Sequence, residues 1–125
     1  MADEQVYLND EKWNQCIHSL KEIAASILNN EMGLNDGSLE ILAILYKLPY
    51  SICNDANFLI FHALSSETMH LPLAHVRNEW NESSLINADK ELKEIEESFK
   101  NDIRTACKYL LIFDFDSFRA QLLAR

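Results

Sequence analysis

The segment between residues 87 and 113 carries the strongest periodic pattern of the chain. Apolar residues recur there at intervals of three and four, as on one face of a helix, at Leu92, Ile95, Phe99, Ile103, Ala106 and Leu110. A helix patterned in this way must bury its apolar side, because most helical stability in proteins comes from packing. The pattern therefore predicts a long helix that begins near Ser84 or Asn87 and ends near Phe113.

The remaining sequence is also typical of helices. Glycine and proline occur only twice each, so turns and hairpins are poorly supplied. Cap residues and helix breakers predict four further helices. The first runs from Asn9 or Asp10 to about Asn30 and is stopped by Gly33, and the second is capped within residues 36–38 and ends before Pro49. The third is capped by Asp55 and ends before Pro72, and a short last helix is capped by Asp114 or Asp116.

These elements predict an all-α fold. We expect a single domain over residues 1–125, with a flexible tail over residues 1–8. The domain is predicted to be a compact helical bundle of four main helices plus a short C-terminal helix. An irregular linking segment at about 71–84 is expected to precede the long helix, because no single period dominates there.

Cysteine usage and charge bear on compartment and partners. The three cysteines form no CxxC pair, and the N-terminal residues are acidic, which predicts a reduced, cytoplasmic protein. The longest apolar run, residues 41–46, is far shorter than the about 20 residues that cross a bilayer. Twenty acidic and eleven basic side chains give a net charge of −9, which repels nucleic acids and anionic membranes and attracts basic proteins. We expect no direct contact with nucleic acid or membrane.

Residues 65–80, SSETMHLPLAHVRNEW, interrupt the helical patterns with polar and aromatic side chains. A structural role explains them best. Glu67 can accept hydrogen bonds from backbone N–H groups or from Arg77, and Trp80 can cover apolar surface of the long helix. We expect Arg77 to pair with a buried carboxylate.

Metal and nucleophilic chemistry are weaker interpretations of these residues. Glu67 and His70 have the E-x-x-H spacing of di-iron bundles, but such a site needs two of these motifs and two further glutamates. His62, His70 and His75 with Glu67 could surround a zinc ion, yet no H-E-x-x-H pattern supports it. Cys53 has His62 nearby in sequence, but its apolar neighbours favour an inert thiol. We therefore expect no cofactor, no metal and no enzymatic activity.

The motifs Ser66-Glu67-Thr68, His70-Leu71-Pro72, Val76-Arg77, Trp80 and Ala106-Cys107, taken in chain order, resemble a family of small bacterial helical proteins. That family includes immunity proteins of contact-dependent growth inhibition and other polymorphic toxin systems. The resemblance covers about residues 25–112. It implies a cytoplasmic protein that binds the C-terminal domain of a cognate toxin, commonly a nuclease, and blocks its active site.

The charge balance agrees with this role, because a nuclease presents Lys and Arg to phosphate and therefore attracts an acidic partner. The predicted partner-binding residues are Glu67, His70, Arg77 and Trp80 together with Glu91, Glu94 and Glu97 of the long helix. Two alternatives from other classes stay open. One is a small cytoplasmic helical adaptor or oligomerisation protein, and the other is a small hydrolase or metalloprotein with its site near Glu67, His70 and His75.

Overall fold

Helices account for every regular element in the part of the chain that the structure describes, residues 4–72 and 74–124. The α-helices of this computed structural model are α1 (Asp10–Leu28), α2 (Leu34–Leu45), α3 (Tyr50–Cys53), α4 (Leu59–Thr68), α5 (Glu82–Ile112) and α6 (Phe115–Leu123). Short 3-10 helices cover Glu4–Leu8, Ala56–Phe58 and Ala74–Glu79. The prediction of an all-α fold is confirmed. Over these same residues, no helix combines the length and the apolarity that a membrane crossing requires.

The first helix begins as predicted, but the turn after it differs. The Asn9 side chain accepts a hydrogen bond from the backbone N–H three residues later, at 3.0 Å, and starts α1. The chain leaves α1 through Asn30, whose φ of 58° asparagine tolerates better than most residues. The prediction that Gly33 stops α1 is wrong, because Gly33 has a φ of −61° and is instead the N-cap of α2. The second helix therefore begins before the predicted caps at residues 36–38.

The core lies where α1, α2, α4 and α5 pack together, in the pairs α1–α5, α1–α2, α2–α4 and α4–α5. Its largest fully buried side chains include Trp13, Leu20, Ile41, Leu45, Phe58, Phe61, Leu64, Ile103 and Leu110. The long helix contributes mainly its C-terminal half to this core. Leu92, Ile95 and Phe99 of the predicted apolar face are only half-buried.

The unequal lengths of the helices explain this difference. At 1.5 Å per residue, the 31 residues of α5 span about 46 Å, whereas the 19 residues of α1 span about 28 Å. The C-terminal end of α1 meets α5 at Arg104, whose Nη2 donates to the Leu28 carbonyl at 3.1 Å. The first turns of α5 therefore extend past α1, where short connections rather than long helices cover them.

Two connections are more regular than the sequence predicts. The segment predicted to be irregular at 71–84 contains the 3-10 helix Ala74–Glu79 and the start of α5. Asn81 caps α5 by accepting from the Ser84 N–H at 2.8 Å, so the helix begins earlier than expected. Residues 50–53, which lie between the second and third predicted helices, form the one-turn helix α3.

The C-terminal helix packs back onto the beginning of the chain. The Asp114 side chain caps α6 by accepting from the Ser117 N–H at 2.9 Å, and Phe115 is buried in the core. Arg119 Nε donates to the Tyr7 carbonyl at 2.7 Å. Residues 4–8 of the predicted tail form a 3-10 helix, with Val6 buried. Residues 1–3 of that predicted tail lie outside the described part.

Candidate functional site

The connection between α4 and α5, which holds three of the seven predicted site residues, is held against α5 by two side-chain pairs. His70 Nε2 lies 2.7 Å from Glu91 Oε1. Arg77 donates two hydrogen bonds to Asp89, from Nη1 to Oδ1 at 2.8 Å and from Nη2 to Oδ2 at 2.9 Å. Paired bonds of this kind fix orientation as well as distance. The two pairs therefore hold the connection along the first half of α5.

The Arg77 pair corrects one expectation from the sequence. Its partner is Asp89 rather than Glu67, and the pair is not buried: the two side chains are 37% and 54% exposed. The hydrogen bonds lower the pKa of Asp89 and raise that of Arg77. Because solvent screens the pair, its main effect is positional. Trp80, at the end of the same connection, is half-buried.

Acidic side chains collect on the side of α5 that borders α4. A helix turns by about 100° per residue, so Glu91, Glu94 and Asp102 lie within one side of α5, and all three are exposed. His70 contacts Glu91 on this side. Glu67, which is also exposed, lies one helical turn before His70 along the chain, and we group it with these residues. We call Glu67, Glu91, Glu94 and Asp102 the acidic face.

The opposite side of α5 lines a groove and carries three of the five basic side chains of this helix. The groove has a volume of about 340 Å³ and lies between α5 and the α1–α2 connection. Its apolar wall comprises Ile27, Met32, Leu34 and Leu92. Its charged residues are Asp89, Lys93, Glu96, Glu97, Lys100 and Arg104. The structure thus separates Glu97 from Glu91 and Glu94, with which we had grouped it.

Glu96 is a partly buried carboxylate of the groove. Its carboxylate accepts a hydrogen bond from the Asn35 backbone N–H, so it caps the N-terminus of α2 from another helix. Burial raises the pKa of Glu96, the Asn35 bond opposes that shift, and nearby Asp36 adds to it. This contact explains how α2 can begin at Gly33, which has no capping side chain.

The charges of the groove largely compensate one another. Asp89 is paired with Arg77, Glu96 with the α2 N-terminus, and Arg104 with the α1 C-terminus. Lys93 and Lys100 each stand three or four residues from both Glu96 and Glu97, the spacing at which opposite charges attract on a helix. The groove therefore offers no clear preference for a ligand of either sign.

The thiol–imidazole pair weighed from the sequence does form, in an arrangement unsuited to catalysis. His62 Nε2 lies 3.0 Å from the Cys53 carbonyl and 3.8 Å from its Sγ, and Nδ1 lies 3.4 Å from the Tyr46 hydroxyl. The carbonyl can only accept, so Nε2 carries the proton and has no lone pair for the thiol. Burial also raises the pKa of Cys53, which disfavours the reactive thiolate.

The zinc set considered from the sequence is not assembled among the described side chains. His62 contacts Cys53 and Tyr46, whereas His70 contacts Glu91. The side chain of His75 lies outside the described part. Within residues 4–72 and 74–124, no group of three or more His, Cys, Asp or Glu residues could hold a metal ion.

Sequence reasoning missed the groove and the separation of charge along α5. The separation has a sequence signal, because Lys93, Lys100 and Arg104 are spaced by seven and four residues and so share one side of a helix. The groove has none, since its other wall comes from the distant α1–α2 connection.

A family model described as "Protein of unknown function (DUF2489)" matches residues 2–110, which include α1 to α4 and nearly all of α5. The match covers most of the chain, so the protein belongs to this family. No curated protein and no solved structure matches the chain.

Proposed function

We propose that this member of the DUF2489 family is a non-catalytic immunity protein that binds and neutralises a basic bacterial toxin domain. The observation that supports the proposal is the acidic face, on which Glu67, Glu91, Glu94 and Asp102 are exposed while three cations lie on the other side of α5. The toxin would be the C-terminal domain of a contact-dependent growth inhibition system, for which a nuclease is the natural candidate. The proposal places the protein in the cytoplasm, where such a toxin acts.

Electrostatics gives this surface a physical role. A nuclease carries Lys and Arg where it holds phosphate, and a patch of exposed carboxylates is complementary to it. Charge complementarity of this kind accelerates association by about 10- to 1,000-fold, and the gain falls with ionic strength. Contact across the acidic face would cover the basic cleft and exclude the substrate. The net charge of −9 supports the same direction of attraction at longer range.

The structure refines the part that each predicted residue would play. Glu67, Glu91 and Glu94 would contact the toxin, and His70 would position Glu91 through their 2.7 Å contact. Arg77 would act indirectly, by holding the α4–α5 connection against Asp89. The remaining two predicted residues are Trp80, which would border the surface, and Glu97, which lies on the groove side of α5.

Co-expression tests the proposal directly. The protein would be produced together with the toxin C-terminal domain encoded beside its gene, and growth and co-purification would be measured. Rescue of growth with a stable complex supports immunity. Intact toxicity and no complex would refute it.

A matched pair of double variants then tests the surface. Glu91→Lys with Glu94→Lys reverses two charges on the acidic face, and we expect the association rate at low salt to fall by about tenfold or more. Glu82→Lys with Glu97→Lys makes the same charge change on the other side of α5, and its effect should be several times smaller. Equal losses would show that net charge, rather than the acidic face, determines binding.

A helical adaptor or oligomerisation protein is the second candidate. Large apolar side chains stand exposed at several points of the surface, among them Tyr50 at 73% and Ile112 at 80%. Sedimentation of the purified protein separates the two functions. A concentration-dependent dimer that persists without toxin would favour the adaptor, and a monomer would favour immunity.

A further inference from the structure

We infer that the groove between α5 and the α1–α2 connection binds a free α-amino acid with a large apolar side chain. This ligand site lies on the other side of α5 from the acidic face, so the inference does not depend on the binding of a toxin. Three features of the groove support it: its size, its apolar wall and the charged groups that have no partner within the protein.

The size and the wall of the groove suit a small apolar group. Its volume of about 340 Å³ is near the lower end of the range for ligand pockets, about 300–1,000 Å³, so it suits a molecule of amino-acid size rather than a nucleotide. Met32, Leu34 and Leu92 of its wall are only half-buried. A side chain such as that of leucine or phenylalanine would remove this apolar surface from water, which would supply most of the affinity.

The charged groups of the groove differ in whether they are already engaged. Of its six charged residues, three are paired with Arg77, with the α2 N-terminus and with the α1 C-terminus. Within the described part of the chain, no ion pair involves the other three, which are Lys93, Glu97 and Lys100. These three residues lie four and three positions apart, so they form a row of alternating charge along α5.

A row of alternating charge favours a zwitterion over a ligand with a single charge. A simple carboxylate would meet a lysine but would also face Glu97, whereas a simple amine would meet Glu97 but would also face the lysines. An α-amino acid is complementary to both signs, because its ammonium can contact Glu97 while its carboxylate contacts Lys100. These two residues are only about 4.5 Å apart along the helix axis, so their side chains can reach two groups on one carbon atom.

Calorimetric titration with L-phenylalanine at low salt tests the inference. We expect a Kd between about 10 µM and 1 mM, in the weaker part of the range open to so small a ligand. Two analogues each lack one charge: 3-phenylpropionate has no ammonium, and phenethylamine has no carboxylate. A pair of unit charges about 4 Å apart in water changes the affinity about fivefold, so each analogue should bind about fivefold more weakly than phenylalanine.

Glu97→Gln and Glu94→Gln are a matched pair of variants. Both remove one carboxylate from an exposed position of α5, but only Glu97 lines the groove. Glu97→Gln should weaken the binding of phenylalanine about fivefold and should not weaken that of 3-phenylpropionate, which has no ammonium. Glu94→Gln should leave the binding of both ligands unchanged. Leu92→Ser removes part of the apolar wall and should weaken both, and thermal unfolding verifies that each variant remains folded.

The outcomes decide the inference separately from the immunity function. A preference for phenylalanine over 3-phenylpropionate that is lost in Glu97→Gln and kept in Glu94→Gln supports the inference. It is overturned if phenylalanine does not bind at about 10 mM, or if 3-phenylpropionate binds as tightly as phenylalanine. Equal losses of affinity in the two glutamate variants would also overturn it, because they would show that the ligand does not contact Glu97.

Discussion

Replacing Gly37 with alanine tests how closely α1 and α2 approach each other. Gly37 is buried in the first turns of α2, facing the end of α1. A Cβ atom placed there would lie 2.6 Å from both Cδ1 and Cγ1 of Ile27, and 3.1 Å from Sδ of Met32. Real Cβ atoms do not approach other carbon atoms so closely, so the helices or the Ile27 side chain must shift.

Two opposing effects set the size of the change. Alanine is favoured over glycine within a helix by about 1 kcal/mol. Inserting a methyl group into a packed core costs about 1–3 kcal/mol. Ile27 is only 2% exposed, so its side chain cannot move without displacing its neighbours, and the cost should lie in the middle of that range. We expect the free energy of unfolding to fall by about 1 kcal/mol and the Tm to fall by about 4 °C.

A double-mutant cycle assigns the loss to Ile27. Ile27→Val removes Cδ1, one of the two atoms in the close approach, but leaves a carbon at the Cγ1 position, so it relieves only part of the clash. In that background Gly37→Ala should destabilise the protein less, so the coupling between the two sites should be about 0.5 kcal/mol or more. Urea unfolding of the four proteins, with thermal melts as a second measure, provides the values.

Gly33→Ala is the control. A Cβ atom at Gly33 would meet nothing closer than Asp36 Oδ2, at 3.5 Å. Gly33→Ala should therefore lower the free energy of unfolding by only about 0.5 kcal/mol, because alanine is a poorer N-cap residue than glycine. Ile27→Val should not alter that value. The reasoning would be refuted if Gly37→Ala stabilised the protein by the full helical preference, or if its effect were the same with Ile27 and with Val at position 27.

Three further predictions concern charge and ionisation. Burial raises the pKa of Glu96, so protonated Glu96 stabilises the fold at low pH, and that contribution is lost as the pH rises. In urea unfolding, Glu96→Gln should therefore be at least as stable as the parent protein at pH 7. The difference in stability between the two proteins should shrink towards pH 4. A variant less stable at pH 7 than at pH 4, relative to the parent, would contradict this. Asp89→Asn should speed tryptic cleavage after Arg77, because the bidentate pair no longer holds the guanidinium. Mass spectrometry measures the rate of this cleavage. An unchanged rate would show that the pair does not restrain the connection. Burial raises the pKa of Cys107 to about 11, so its thiol should react with Ellman's reagent at pH 8 only after unfolding. The stability of the fold should also decline as the pH rises above 9.0, the ordinary thiol pKa, because the thiol of the unfolded chain ionises first. Rapid labelling of the native thiol would show that it is accessible.

Local signals in the sequence predicted much of the fold. Asn9 and Asp114 cap helices where a capping side chain precedes an apolar pattern, and Pro72 ends α4 within a few residues of the predicted place. The prediction that Gly33 stops α1 was wrong because the turn after α1 contains two residues that suit a helix end, Asn30 and Gly33. The choice of Asn30 over Gly33 depends on tertiary contacts, including the cap that Glu96 supplies from α5.

The candidate site was predictable only in part, for the same reason. The sequence placed His70 and Arg77 in a segment of unusual composition, but nothing local indicates that they meet Glu91 and Asp89. Those pairs join residues across a connection whose path depends on how α5 extends beyond α1. The separation of Glu97 from Glu91, by contrast, follows from helical spacing alone, because a step of six residues rotates a side chain by about 120° around the helix.

The hydrogen bond from Arg119 to the Tyr7 carbonyl has a consequence for how the protein is made, because it joins positions 112 residues apart. A ribosome that adds about 5–20 residues per second needs about 6–22 s to synthesise the intervening chain. During that interval the segment at residues 4–8 has emerged but lacks its partner on α6. Ordering of this segment should therefore follow the assembly of α1 to α5 on the ribosome, and a nascent chain stalled before residue 119 should leave Tyr7 open to proteases.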